Sequence, residues 1–255
     1  MNTAGRLSDG IRLGIATGFD SGRSLDYVYE NKARGVSPLG RIIDRGYLDT
    51  LGWKGIRQRR AHLRELLLAT IERVAASGGT VRILDVAAGC GRYVLDVLSS
   101  MRGRDIHARL RDWEPRNLEQ GRTLARECNL ESVVFERGDA FDKDSLLAVT
   151  PRPNIAVVSG LYELFSDNSM ILRSLRGIAG ALQEGGYLVY TCQPWHPQVE
   201  MIARTLVNRD GKPWIMRRRT QAEMDELVRS VGFAKQDMRI DEYGIFTVSV
   251  ARKEG

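Results

Sequence analysis

The chain has 255 residues, 43% of them hydrophobic, and a formal net charge of +6. This length suits one large domain, and the hydrophobic content is enough to bury a substantial core. No stretch approaches the roughly eighteen apolar residues that span a bilayer, and the polar N-terminus lacks the apolar region of a signal peptide. We therefore expect a cytoplasmic protein without a transmembrane segment.

The three cysteines, Cys90, Cys128 and Cys192, are too few and too scattered for a disulfide framework. No two of them have the spacing of metal ligands. We expect reduced thiols and no bound metal.

Most of the positive charge lies in the first third of the chain, because residues 1–80 carry 13 Lys and Arg against 8 Asp and Glu. Such a surface could meet an anionic membrane, a phosphorylated metabolite or RNA, or could be a solvated helix face. The sequence contains no recognisable RNA-binding module, so nucleic acid is the less favoured partner. Nothing in the pattern indicates an oligomeric state.

Residues 1–57 are punctuated by glycines, a pattern that favours short helices separated by turns. Ser24 could cap a helix that ends near Gly35, and Pro38 could open another. We interpret this segment as a helical cap that selects the substrate. A second domain is expected over residues 58–255.

From residue 58 onward, strands alternate with helices. An apolar stripe at helical spacing covers 58–76. Apolar strand patterns then recur at 81–86, 106–112, 133–136, 155–159 and 186–191, with helical segments between them. After a helix at 221–230, the chain ends in two strands joined by a turn. This order predicts an α/β, Rossmann-like, doubly wound, mostly parallel seven-stranded sheet with an antiparallel C-terminal pair and an N-terminal helical cap.

A glycine-rich turn follows the first of these strands. We expect Ala87, Gly89 and Gly91 to line a ligand site, because glycines let the backbone approach a ligand and ligands lie at the carboxyl ends of strands. Asp85 ends the strand and would repel a pyrophosphate. It would suit S-adenosylmethionine, which carries a cationic sulfonium and an ammonium group.

Two further strand ends fit the same cofactor. Asp112 ends the second strand, where a carboxylate can accept hydrogen bonds from both ribose hydroxyls. Its neighbour Trp113 could pack beside the adenine. After the third strand, Asp139 could accept from the adenine amino group and the backbone N–H of Ala140 could donate to the ring.

These residues resemble the motifs of class I S-adenosylmethionine-dependent methyltransferases, with Ala87 where the usual pattern has its first glycine. A narrower set of motifs resembles a bacterial methyltransferase family whose members sometimes follow an α/β-hydrolase domain: Gly18–Gly22, Gly52–Arg59, Ser159–Phe165 and Gln193–Pro197. The resemblance covers roughly residues 10–253. It implies that residues 58–255 form an S-adenosylmethionine-binding catalytic domain.

Methyl transfer from a sulfonium needs alignment of the two reactants, and it needs a base only if the acceptor must lose a proton. We therefore expect the chemistry at the carboxyl ends of the fourth and fifth strands. Ser159 and Gly160 would contact the cofactor, with Gly160 admitting the sulfonium. Tyr162 and Glu163 are candidate catalytic residues, although Tyr162 could instead pack on the cofactor and Glu163 could cap the next helix.

The loop after the fifth strand holds three candidates, Gln193, Trp195 and His196. Two prolines restrict its backbone, which suits a recognition element. We expect Gln193 and Trp195 to bind the substrate and His196 to serve as a general base, with a loop staple as the alternative for His196. In the cap, Tyr27 could contact the substrate or belong to the cap core.

The sequence thus predicts a methyltransferase that uses S-adenosylmethionine to methylate a small-molecule or lipid-like acceptor. Three alternatives stay open: methylation of RNA, cleavage or cyclisation of S-adenosylmethionine itself, and a non-catalytic module that binds S-adenosylmethionine. The nucleophilic atom of the acceptor is not indicated.

Overall fold

The structure, a computed structural model, describes residues 3–255. Seven strands form one sheet: β1 Val81–Asp85, β2 Ile106–Asp112, β3 Val133–Arg137, β4 Ile155–Val158, β5 Tyr187–Cys192, β6 Phe233–Ile240 and β7 Thr247–Lys253. Their order is β3-β2-β1-β4-β5-β7-β6, with β1 to β5 parallel and β7 antiparallel to both of its neighbours. The predicted Rossmann-like sheet with an antiparallel C-terminal pair is confirmed.

The described part of the chain also contains ten α-helices: α1 Asp9–Thr17, α2 Gly22–Glu30, α3 Pro38–Leu48, α4 Leu51–Ala76, α5 Arg92–Ser100, α6 Pro115–Glu127, α7 Lys143–Leu147, α8 Asn168–Ala181, α9 Val199–Thr205 and α10 Gln221–Arg229. Within residues 3–255, no helix is both long enough and apolar enough to cross a membrane.

The strands β1, β4 and β5 bury both of their faces, as expected for a doubly wound sheet. On β4, Ile155 and Val157 point into one apolar cluster, which includes side chains of α4, α5 and α6. Ala156 and Val158 point into the opposite cluster, with side chains of α7, α8 and α10. This two-sided packing leaves the carboxyl ends of β1, β2 and β4 as one edge where loops can meet a ligand.

A third apolar cluster forms the core of the cap. It contains the expected N-terminal side chains, among them Phe19 and Trp53, but also Ile202, Trp214 and Met216 from the other half of the chain. The cap is therefore built from both ends of the sequence. Helix α4 runs through residue 57, so the chain has no break where we expected the boundary between cap and domain.

Local capping differs from the expectation in one place. Ser21, not Ser24, caps α2, because the Ser21 hydroxyl accepts from the Ser24 backbone N–H at 3.2 Å. The helix ends at Asn31, which adopts the left-handed conformation. Pro38 does open α3, after the N-cap Ser37. The short helix α9 was not predicted.

The Asp44 side chain connects several segments of the cap through hydrogen bonds. Its buried carboxylate accepts hydrogen bonds from the Ser8 and Tyr27 hydroxyls and from the Gly10 and Arg34 backbone N–H groups, the last two both at 2.8 Å. These four donors come from α1, α2 and the loops beside them. One side chain thus fixes three segments of the cap against α3.

Asp44→Ala should lower the free energy of unfolding by about 3 kcal/mol, because it leaves buried donors without an acceptor. Urea denaturation followed by circular dichroism measures this. The matched control is Asp49→Ala, whose half-exposed carboxylate pairs with Arg45 on the same helix surface and should cost less than about 1 kcal/mol. Equal effects of the two substitutions would contradict this role of Asp44.

Candidate active site

A cavity lies at the carboxyl ends of β1, β2 and β4 and is called here the glycine-turn cavity. Among the predicted cofactor residues, it is lined by Ala87, Gly89, Gly91, Asp112, Ser159 and Gly160. Helix α2 of the cap closes its other side with Gly22, Leu25, Asp26 and Tyr29. The cavity thus lies between the sheet edge and the cap.

Asp112 is held in a fixed orientation. Its Oδ2 accepts from the Gly89 N–H at 2.8 Å, and its Oδ1 accepts from the Glu114 N–H and the Asn117 side-chain amide. A carboxylate has about four lone-pair sites, so one site on Oδ2 stays free. Asn117 also lines the cavity, and its buried Oδ1 has no partner within the described residues.

The turn itself needs its glycines. Gly89 and Gly91 have φ values of 58° and 72°. A Cβ atom on Gly91 would lie 2.6 Å from the Leu110 side chain, so a larger residue would collide with the core. A Cβ atom on Gly89 would lie 3.4 Å from Gly22 Cα, which shows how closely α2 covers the turn.

Asp85 does not line the cavity, contrary to the prediction. It is fully buried, and its carboxylate accepts from the Tyr93 hydroxyl and from the Ala87 N–H. Burial raises the pKa of Asp85 to about 7. The carboxyl group therefore holds the backbone of the turn through the Ala87 N–H and is covered by the Tyr93 hydroxyl.

The predicted adenine contacts also lie outside this cavity. Trp113 is 60% exposed and stacks under the Arg137 guanidinium, 4.5 Å from the ring centroid. The Asp139 carboxylate accepts from the Phe141 N–H, and Ala140 packs in the core beneath the sheet. Neither Trp113, Asp139 nor Ala140 is among the residues that line the glycine-turn cavity.

Two ion pairs on the cavity wall were not predicted. Asp26 of α2 pairs with Arg92 of α5 and accepts from the Gln120 amide at 2.8 Å. Asp20 accepts from the Arg209 backbone N–H at 2.6 Å and pairs with its guanidinium at 3.2 Å. These pairs connect the cap to the sheet domain and to the segment after α9, and the second joins positions 189 residues apart.

A second, larger cavity lies beside the first and is called here the apolar cavity. Aromatic and aliphatic side chains make most of its wall, among them Phe19, Tyr47, Trp53, Trp214, Met216 and Phe246. Four residues line both cavities: Asp20, Leu25, Arg59 and Gly160. The two cavities therefore meet at the end of β4.

Arg59 and Glu163 form a buried ion pair at this junction. Arg59 Nη1 lies 3.2 Å from Glu163 Oε1, and the two side chains are 2% and 7% exposed. The Arg59 guanidinium also lies over the Phe246 ring, 4.9 Å from its centroid. Glu163 Oε2 and Arg59 Nε are buried without a partner among residues 3–255. The sequence indicated Glu163 but gave no reason to select Arg59 from its arginine-rich helix.

Gly160 lets the pair approach the end of the strand. It has a φ of 70°, and its N–H donates to the Thr191 hydroxyl at 2.9 Å. A Cβ atom there would lie 3.0 Å from Arg59 Nη2. The positive φ favours glycine here, and Arg59 leaves little room for a larger residue.

Three other predicted site residues lie outside both cavities. Tyr162 is buried in the core and donates to the Ser174 hydroxyl, and burial raises its pKa well above the usual range. Tyr27 donates to Asp44 and belongs to the cap core. Trp195 is 48% exposed and is not among the residues that line either cavity. The geometry therefore supports no contact of these three with a ligand in either cavity.

His196 and Gln193 do line the apolar cavity. His196 Nδ1 accepts from the Gln198 backbone N–H at 3.1 Å, so the ring proton lies on Nε2. Burial lowers the pKa of His196 to about 4. A neutral imidazole with its lone pair already occupied can donate a hydrogen bond, but it is a poor general base.

Comparison with known proteins identifies the family of this chain. A family described as "Putative methyltransferase" matches residues 1–253. This chain belongs to that methyltransferase family. Over 254 residues it is 52% identical to the uncharacterized protein YnbC of Escherichia coli (strain K12), and the match covers 98% of this chain and 43% of YnbC. The chain thus spans less than half the length of this relative.

Solved structures share the methyltransferase fold. A possible exported protein from Bordetella parapertussis matches with a TM-score of 0.73 and 19% identity, covering 96% of this chain and 87% of that one. Magnesium protoporphyrin IX methyltransferase (ChlM) from Synechocystis PCC 6803, a structure with bound SAH, matches with a TM-score of 0.63 and 10% identity, covering 94% and 99%. At these identities the likeness concerns the fold.

S-adenosylmethionine is the cofactor expected of a methyltransferase with this fold, and the glycine-turn cavity fits it. Asp112 keeps a free acceptor site for a ribose hydroxyl, and Asn117 Oδ1 is a second acceptor that needs a donor. Asp20 and Asp26 also line this cavity, each paired with an arginine that lines it as well. The adenine contacts are the part of the prediction that this cavity does not support.

Gly160→Ala and Gly244→Ala form a matched pair that tests the packing at the junction. The φ values are 70° and 68°, so the backbone strain of about 1 kcal/mol is common to both. Nothing lies within 4 Å of a Cβ atom on Gly244. We expect Gly160→Ala to cost about 1–2 kcal/mol more in unfolding free energy, because the added methyl crowds Arg59. Equal losses of stability would contradict the crowding.

Proposed function

We propose that this chain transfers the methyl group of S-adenosylmethionine to a small-molecule or lipid-like acceptor that lies in the apolar cavity. The observation that carries the proposal is the shared boundary of the two cavities at Arg59 and Gly160. In-line transfer needs the donor and the acceptor in adjoining sites with water excluded. The glycine turn and the apolar wall offer such a pair of sites.

S-adenosylmethionine, when bound, supplies an activated methyl group. On the protein side, Asp112 would bind the ribose, Gly89 and Gly91 would allow close approach of the cofactor, and Gly160 would let the donor face the apolar cavity. Asp20 and Asp26, held in place by Arg209 and Arg92, would face the cofactor as ion pairs. Ser159 would add a contact at the end of β4.

Glu163 is the proposed proton acceptor. Its Oε1 is held by Arg59, whereas Oε2 is free of partners within the described residues and lies on a residue that lines the apolar cavity. His196 would orient the acceptor by donating from Nε2, and Gln193 would add a further polar contact. Tyr162 and Trp195 take no part in this scheme.

The RNA alternative loses its main support. Arginines of the first third are paired with nearby carboxylates in five cases: Arg12–Asp9, Arg34–Glu30, Arg45–Asp49, Arg59–Glu163 and Arg60–Asp96. The apolar wall beside the glycine turn also favours a small uncharged acceptor over a polyanion. Cleavage of S-adenosylmethionine itself stays an alternative, and mass spectrometry of the cofactor incubated with protein alone separates it, since release of methylthioadenosine would support cleavage.

Asp112→Ala should weaken the binding of S-adenosylhomocysteine about 10- to 100-fold. The carboxylate is expected to accept hydrogen bonds from the ribose, and a hydrogen bond to a charged group contributes about 1.5–3 kcal/mol. Titration calorimetry of the full chain measures this. Asp105→Ala is the control, because that carboxylate is exposed at the other end of β2.

Wild-type affinity in Asp105→Ala together with a large loss in Asp112→Ala would support the site. An unchanged affinity in Asp112→Ala, or no binding by the wild-type chain, would overturn it.

A further inference from the structure

We infer that the acceptor is a neutral aromatic compound and that its nucleophile is a phenolic hydroxyl, which is methylated on oxygen. This inference rests on the proposed function and narrows its acceptor class. It combines three features of the apolar cavity: an aromatic wall, buried polar atoms without partners, and a balanced charge.

The wall contains a continuous row of aromatic rings. Phe19 meets Tyr47 edge-on at 6.2 Å between ring centroids, Tyr47 meets Trp53 edge-on at 5.5 Å, and Trp53 stacks on Trp214 at 6.1 Å. All four side chains line the apolar cavity. Aromatic rings pack favourably against other rings in stacked or edge-on arrangements, so this row suits a planar ring system better than a flexible chain.

Two buried polar atoms on residues of this cavity have no partner among residues 3–255: Glu163 Oε2 and Trp214 Nε1. An unpaired buried polar group costs about 1–3 kcal/mol, so such groups usually have a partner when the site is filled. Glu163 Oε2 needs a hydrogen-bond donor, and the Trp214 indole needs an acceptor. A ligand that reached both atoms would carry a hydroxyl for Glu163 Oε2 and a second oxygen for Trp214 Nε1.

The charges on the lining residues are already compensated. Arg59 is paired with Glu163, and Asp20 is paired with Arg209. No further Arg, Lys, Asp or Glu is among the described residues that line the apolar cavity. An acceptor with a phosphate or carboxylate would therefore bring an uncompensated charge into an apolar site, which is costly. A neutral acceptor avoids that cost.

The acidity of the hydroxyl decides between a phenol and an aliphatic alcohol. A carboxylate is a weak base, so proton transfer to it is easier from a more acidic donor. A phenol has a pKa of about 10, whereas the hydroxyl of water has a pKa of about 15.7 and an aliphatic alcohol resembles water. Glu163 is thus suited to a phenol.

The reaction balances without any further reactant. The phenolic oxygen forms a bond to the methyl carbon while the bond between that carbon and the sulfonium sulfur breaks, and the electron pair of the broken bond stays on sulfur. The phenolic proton moves to Glu163 Oε2 and then to solvent. The products are an aryl methyl ether, S-adenosylhomocysteine and one proton.

The test uses the full chain, methyl-labelled S-adenosylmethionine and three probes with one carbon skeleton: 2-naphthol, decahydro-2-naphthol and 2-naphthyl phosphate. Mass spectrometry detects the labelled product, and quenching of tryptophan fluorescence in the presence of S-adenosylhomocysteine measures probe binding. We expect labelled 2-methoxynaphthalene at a rate at least tenfold above that of any decahydronaphthyl ether. The phosphate should bind at least tenfold more weakly than 2-naphthol.

Two variants separate the roles of the unpartnered atoms. Glu163→Gln keeps an acceptor for the hydroxyl, so 2-naphthol affinity should stay within about threefold while the methylation rate falls at least 100-fold. Trp214→Phe should weaken 6-acetyl-2-naphthol about tenfold more than it weakens 2-naphthol, because only the former carries a second oxygen. Trp195→Phe is the matched control, since that exposed indole lies outside the apolar cavity and neither affinity should change.

Three results would overturn the phenolic class while leaving the proposed function intact: equal methylation of the aliphatic alcohol, tight binding of the phosphate, or S-adenosylhomocysteine binding that depends on Asp112 without methylation of 2-naphthol. Absence of S-adenosylhomocysteine binding by the wild-type chain would instead overturn the proposed function. If Glu163→Gln fails to fold, the Trp214 and Trp195 variants still test whether the Trp214 indole donates a hydrogen bond to the acceptor.

Discussion

The buried ion pair between Arg59 and Glu163 is the constraint on which the site depends. Two charges in a low-dielectric interior are costly unless each compensates the other, so the two elements that carry them must meet in one geometry. Arg59 lies on the long helix α4, and Glu163 lies just after β4. Their contact therefore fixes the helix against the strand end, beside Gly160, where the glycine-turn cavity and the apolar cavity meet.

Buried or partly buried ion pairs also fix the cap against the rest of the chain. Asp20 and Asp26 are held by Arg209 and Arg92, so paired charges fix the wall of the glycine-turn cavity in place. Because the cap core takes side chains from α2, α4 and the segment after α9, the acceptor side of the site depends on both ends of the chain. The selection of the acceptor thus belongs to the fold of the whole chain rather than to an N-terminal appendage.

The sheet could be predicted from the sequence because strand and helix periodicities are local signals, and β2 begins and ends at the predicted residues. The site could be predicted only in part. Asp85 matches a cofactor motif, but its carboxylate accepts a hydrogen bond from the hydroxyl of Tyr93, eight residues later. Arg59 resembled a solvated arginine because its partner is 104 residues away in sequence. Whether a charged side chain is buried depends on its ion-pair or hydrogen-bond partner. A partner that is distant in sequence leaves no local sequence pattern from which the burial could be predicted.

A crystal structure of the full chain with S-adenosylhomocysteine tests most directly whether the two cavities form one reaction site. We expect the ribose hydroxyls on Asp112 and the sulfur beside Gly160, facing the apolar cavity with Glu163 beyond it. A sulfur atom that faces solvent, or that is separated from the apolar cavity by the Arg59–Glu163 pair, would contradict the arrangement.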